Sequence, residues 1–175
     1  MKGDPRVYFS CLASYNAGRL FGVWVDLFEG ITAEDIQLAI DYMLHKSPVE
    51  DAEEWRIDDS EGFADINPPT DLERLATLAN LIHEHGEGII KGYLAHQGND
   101  ADLDELEDYY IGTYKSEADF CQEHFDIAEA AKKIRVFDWA TLDQYIDWEA
   151  IANDAFINSY YSHQESYEVV HVYTR

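Results

Sequence analysis

Residues 100–110 read DADLDELEDYY and place six carboxylates, Asp100, Asp102, Asp104, Glu105, Glu107 and Asp108, in eleven positions with no Lys or Arg among them. Side chains of this type bind divalent cations, work in pairs as general acid and base, or recognise a positively charged partner. The alternation of Asp100, Asp102 and Asp104 is that of the first three ligands of an EF-hand loop. The rest of that loop is wrong: its sixth position is Glu105 where the turn needs glycine, and its twelfth is Ile111 where a bidentate Glu should close the shell. Histidines offer no better metal site. His83 and His85 stand two apart on a predicted helix and so point in different directions, HExxH is absent, and His45, His96, His124, His163 and His171 are scattered singly. Gly86, Gly88 and Gly92 in GEGIIKG match neither GxGxxG nor the P-loop, and they read as helix capping and close packing. Cys11 and Cys121 have no CxxC spacing and no identifiable base nearby, and no GxSxG elbow is present. Two acids from distant segments could meet in a cleft, but nothing in the sequence singles out a pair. The expectation is a protein that is no enzyme and that uses no cofactor and no metal.

The elements that must hold these acids are legible from periodicity. Val7–Leu12 and Leu20–Leu27 read as two strands joined by a turn containing Asn16, Ala17 and Gly18. A helix follows, with Thr32 as N-cap, Asp35 three residues on, Ile36, Ala39, Ile40 and Met43 at helical spacing, and Pro48 as its stop. A third strand is expected around Trp55 and Ile57. After Pro68 and Pro69, Thr70 with Glu73 forms a capping-box pattern. It opens a helix with a stripe of Leu72, Leu75, Ala76, Ala79 and Ile82, flanked by Leu78 and Leu81 and closed by Gly86. A shorter helix runs to Gly98. Within the acidic run, Leu103, Leu106 and Tyr110 predict one short amphipathic helix that turns them inward and leaves the acids in water. Ser116 and Asp119 cap another helix, FCQEHFDIAEAAKK, which brings Phe120, His124 and Ile127, or Phe125 and Ala128, to a core. More helix is expected in WATLDQYIDWEAIANDAFIN, and SYEVVHVYTR reads as a closing strand. The fold class is thus α+β, with antiparallel sheet units and a helical middle. The expected subdomains are 1–65, 66–99 and 100–175. Trp24, Trp55, Trp139, Trp148 and the tyrosines are expected to build their cores.

Charge separates a general trait from a local one. The chain carries 36 Asp and Glu against 12 Lys and Arg, a formal net charge of -24 on 175 residues. Such a load opposes compaction and serves solubility, steering or recognition of something positive. With 46% hydrophobic and 14% aromatic residues the chain still has a core to fold on, unlike a disordered acidic tail. Residues 26–65 hold 13 acids and 2 bases and residues 100–129 hold 11 and 1, whereas residues 66–99 hold only 4 and 2. The charge is bunched into two blocks. Duplex DNA carries one charge per roughly 1.7 Å of axis, so a charge of this size equals that of about 12 base pairs, or about 40 Å of duplex. Nucleic acid and membrane are not expected partners. The absence of a leader-like apolar run at MKGDPRVYFS, and the two isolated cysteines, point to a cytoplasmic protein.

The segments YFSCLASYNAGRLFGVWVDL (Tyr8–Leu27), EEWRIDDSEGF (Glu53–Phe63) and YIDWEAIANDAFIN (Tyr145–Asn158), in this order in an acidic chain of this length, resemble the ArdA family of antirestriction proteins. The resemblance implies an elongated arrangement of three small subdomains, usually a homodimer, encoded on mobile genetic elements. It further implies a double-stranded DNA mimic that occupies the DNA-binding site of type I restriction-modification enzymes. The family offers no catalytic residues to carry over. The acids expected to meet the enzyme are Asp58, Asp59 and Glu61 on the third strand, the six of residues 100–108, and Glu117 and Asp119 at the start of the next helix. The competing expectation is an acidic binding module that inhibits another basic DNA-binding protein.

Overall fold

The computed structural model describes residues 4–125 and 143–175, and these fall into two compact units that divide between Lys91 and Gly92. The architecture is α+β, with one three-stranded antiparallel sheet in each unit.

In the first unit the strands β1 (Arg6–Cys11), β2 (Gly22–Asp26) and β3 (Trp55–Glu61) pair in the order β2-β1-β3. Alternation along β1 explains its central place. Val7, Phe9 and Cys11 are fully buried on one face, whereas Arg6 and Tyr8 lie on the other. The expected direct hairpin is replaced by a longer connection, because the short helix α1 (Leu12–Asn16) starts straight after β1. Cys11 Sγ accepts its Ser14 N–H at 3.4 Å, and Gly18 makes the following turn at φ 75°. Helix α2 (Ala33–His45) begins in the predicted capping box: Thr32 Oγ1 accepts the Asp35 N–H, and Asp35 accepts the Thr32 N–H in return. The Thr32 hydroxyl also donates to Asp35 Oδ2 at 2.6 Å, and this bond, with the one from the Thr32 N–H, holds the Asp35 carboxyl below its ordinary value. Ile36, Ile40 and Met43 then turn inward, and α2 packs on β1, β2 and helix α3 (Leu72–His85). The N-cap of α3 is Asp71 rather than Thr70. Its Oδ1 takes the Arg74 N–H at 2.8 Å, which starts the helix one residue later than the capping-box pattern suggests. Leu75, Ala76, Leu78, Ala79 and Ile82 are its buried stripe. Asn80 and His83 anchor α3 to the chain after β2. Asn80 receives the Gly30 N–H and donates to Ile31 O, and His83 Nε2 lies 2.6 Å from Leu27 O. Gly86 ends α3 at φ 91°, as a C-cap glycine should.

The second sheet comprises β4 (Tyr110–Tyr114), β5 (Tyr160–Ser166) and β6 (Val169–Thr174), with β6 in the middle. Of these only β6 was expected. On one face Val170 and Val172 meet Phe120 and Cys121 of helix α6 (Glu117–His124) and Ala152 of helix α7 (Trp148–Asn158). On the other face His171 and Tyr173 are buried, and the residue 92–97 part of helix α4 (Glu87–Gln97) comes close. A Cβ at Gly92 would collide with the Tyr173 hydroxyl and the His163 side chain. The predicted Ser116 cap is present, receiving the Asp119 N–H at 3.0 Å. Ile127, Ala128 and Trp139, which were expected to pack in this region, lie outside the described residues.

The ring of Tyr161 stacks on that of Tyr173, centroids 4.7 Å apart and nearly coplanar in orientation, and His96 stacks on Tyr161 at 3.6 Å. Burial pushes the Tyr161 phenol up to about 12 and pushes Tyr173 up as well. Between pH 10 and 12 the unfolded Tyr161 is ionised while the folded one still holds its proton. The resulting stability is therefore complete below about pH 10 and is lost as pH rises through 12. Denaturant unfolding at pH 9 and pH 11 should show a fall that Tyr161→Phe makes shallower. An unchanged fall in that variant would remove Tyr161 as its source.

Candidate partner-binding acidic surface

The acidic run is built differently from the single helix that its pattern suggests. Asp100 lies in the turn after Gly98, which has φ 99°. Asp102 Oδ1 accepts the Asp104 N–H at 3.0 Å and opens one 3-10 turn, Leu103–Glu105, followed by the four-residue helix α5 (Leu106–Tyr109). Tyr110 is not the last inward residue of that helix but the first residue of β4, opposite Tyr173. The reason is local: YYIGTY is rich in aromatic and β-branched residues, and pairing with β6 satisfies backbone groups that a continued helix would take from the sheet. Leu103 and Leu106 are 4% and 1% exposed, and the Tyr93 hydroxyl donates to Asp102 O at 2.5 Å. These three contacts fix the backbone, and all six carboxylates stay exposed. Among the described residues none of the six is in an ion pair.

The strand β3 acids are placed in another way. Arg6 donates from Nε and Nη2 to one oxygen of Glu61, at 2.8 and 2.7 Å, and its guanidinium lies 4.7 Å from the centre of the Trp24 ring. Arg56 pairs with Asp58 and lies 4.7 Å over the Tyr15 ring. Asp59 accepts the Ser60 N–H at 2.8 Å. Two of these three acids thus already hold a cation. At the start of α6, Glu117 is half-buried and receives the Ser162 hydroxyl at 2.5 Å. Burial, with the Glu117 charge beside it, pushes the Cys121 thiol up to about 11, as expected for an inert structural cysteine. Asp119 is half-buried too. With Thr113, Tyr114, Lys115, Glu123 and Glu168 it lines an open cavity of about 300 Å³. That wall is charged and polar, unlike the apolar clefts that bury small substrates.

One polar arrangement was not legible in the sequence. His171 is 4% exposed; its Nδ1 lies 2.8 Å from Thr113 Oγ1 and its Nε2 2.9 Å from Glu165 Oε2, and Tyr110 Oη lies 2.7 Å from the same threonine oxygen. This hydrogen-bonded row crosses all three strands of the second sheet. It satisfies a buried histidine that would otherwise cost the fold a polar group without a partner. Strict alternation in VVHVYT, which turns His171 away from Val170 and Val172, was the available signal.

The chain thus has two small α+β units, carboxylates held outward on a fixed turn, and the Arg6, Arg56 and Lys46 cations lying over aromatic rings. The model of the family described as antirestriction protein (ArdA) matches residues 7–169, and the chain belongs to that family. No curated protein matches the chain. Membership implies an antirestriction function, exercised on restriction enzymes by inhibition rather than by catalysis. Among the described residues no helix is long and apolar enough to cross a membrane.

Proposed function

We propose that this protein inhibits a type I restriction-modification enzyme by standing in for double-stranded DNA, with carboxylates in place of phosphates against the Lys and Arg of the enzyme's DNA channel. The observation that carries the reading is the run Asp100–Asp108: six exposed carboxylates on a backbone pinned by Leu103 and Leu106, with no ion pair to any of them among the described residues. A disordered acidic segment would pay for ordering its charges when it bound, and this one has them ordered beforehand. We place Asp58, Glu61 and Glu117 behind the six in weight, because each already has a partner inside the protein. In the homodimer that this reading includes, the charged length available to the enzyme is doubled.

The test is inhibition of a purified type I enzyme across a salt series, with unrelated DNA-binding proteins alongside. Inhibition should weaken as salt rises, because the screening length falls from about 10 Å at 0.1 M to about 3 Å at 1 M. Inhibition that stays flat would count against electrostatic mimicry. Equal inhibition of the unrelated proteins would favour a general acidic binding module instead.

A further inference from the structure

The outward face of α2 carries a feature that phosphate mimicry does not use. Leu38 and Tyr42 are 61% and 66% exposed, although they lie in a well-capped helix whose other apolar side chains are turned in. They stand four residues apart and so are neighbours on one face. That face is shared with Glu34, Gln37 and Asp41, all exposed, and Gln37 Nε2 donates to Asp41 Oδ1 at 2.7 Å along the same surface. Lys46 Nζ lies 5.5 Å from the centre of the Tyr42 ring, so the ring already takes a cation on one side.

We infer that this face of α2 is a second docking surface, on which Leu38 and Tyr42 are apolar anchors for a partner that is itself basic. Charge decides the occupant. Residues 26–65 carry 13 acids and 2 bases. Of the two bases, Arg56 is held by Asp58 and Tyr15, and Lys46 lies over Tyr42. A second copy seated here would set acid against acid, whereas a surface of Arg and Lys with aliphatic stems would satisfy the carboxylates and cover the leucine and the ring together. The inference rests on the proposed function, because the basic partner is the same enzyme. It adds what charge alone cannot supply: a contact that distinguishes this protein from DNA and that salt does not screen. Truncated anchors of this kind weaken binding far more than neighbouring contacts do.

The experiment measures binding of the type I enzyme to the full-length protein over a salt series for three forms: wild type, Leu38→Ala/Tyr42→Ala, and Glu34→Gln/Asp41→Asn. The apolar double variant should bind about 30-fold more weakly at every salt concentration, with an unchanged salt slope. The neutral-acid variant should have a shallower slope. Circular dichroism and sedimentation of both variants should match wild type, since the substituted side chains are exposed. Wild-type affinity in the apolar variant, beside a normal salt slope, would overturn the docking surface and leave the mimic intact. An assembly present in wild type and lost in the apolar variant would overturn it too, by showing that a second copy covers this face. Failure of the wild type to bind the enzyme would overturn both readings.

Discussion

Replacing Asp102, Glu105 and Asp108 together with Lys is expected to weaken binding to the restriction enzyme by about a hundredfold in near-physiological salt while the circular dichroism spectrum stays native. The change alters net charge by six units, from -24 to -18. A charge pair about 4 Å apart in water is worth about 1 kcal/mol, and reversal turns each attraction into a repulsion of similar size. Three such reversals amount to about 6 kcal/mol before screening. Halving this for salt and side-chain mobility leaves about 3 kcal/mol, or about two decades in affinity. The fold should tolerate the change, since all three side chains are exposed and Leu103 and Leu106 remain. Loss of the 3-10 cap at Asp102 costs about 1 kcal/mol, so a mild fall in stability is part of the expectation. A triple variant that inhibits as well as wild type would clear this turn of any role.

The largest loss of stability is expected from Phe120→Ala. Phe120 is fully buried, and among the described residues its ring has five aromatic neighbours. Tyr114, Tyr160 and Phe156 lie edge-on at 5.1, 4.9 and 5.7 Å, Phe125 lies at 6.2 Å, and His124 stacks at 4.7 Å. Truncation removes the side chain from a site whose neighbours come from α6, α7, β4 and β5, so collapse of one cannot fill the space. The cost of such a change is about 3–5 kcal/mol. In a chain whose charge already opposes compaction, that is a large fraction of the total. Chemical denaturation should show the midpoint falling sharply. A midpoint within error of wild type would mean that the second unit does not depend on this cluster.

The contrast between these two sites shows which parts of the molecule its sequence reveals. Helices α2 and α3 were readable because their stripes are long and their ends carry chemistry that acts locally, Thr32 with Asp35 at one start and Gly86 at one stop. The N-cap of α3 was misplaced by one residue because Thr70 and Asp71 are both good caps, and the choice between them is made by which side chain reaches the Arg74 N–H. Strands β4 and β5 were missed for a different reason. YIGTY is short and contains a glycine, and YYSHQES is polar along much of its length. What makes both extended is pairing with β6, a partner far away along the chain in the case of β4. The acidic run was recognised from its composition, and Leu103 and Leu106 were placed inward correctly. Its conformation was not legible, since the strand that follows ends the helix at Tyr109. The internal pairing of Glu61 with Arg6 links residues 55 apart, beyond the reach of any local pattern.

The change of conformation inside residues 102–110 sets how the carboxylates are graduated along the chain. A 3-10 turn advances about 2.0 Å per residue, an α-helix about 1.5 Å and a strand about 3.3 Å, whereas phosphates on one DNA strand recur every 3.4 Å or so along the axis. Asp104 and Glu105 stand on the first of these scales, Glu107 and Asp108 on the second, and Asp102 precedes the turn on extended backbone. Under the proposed function the protein is therefore an unevenly marked ruler laid against an evenly marked one. On the proposed reading it suits an enzyme whose long lysines and arginines can each shift by an ångström or two to find an oxygen. An enzyme that grips each phosphate with rigid backbone N–H groups at fixed intervals would meet only some of the marks, and should resist inhibition.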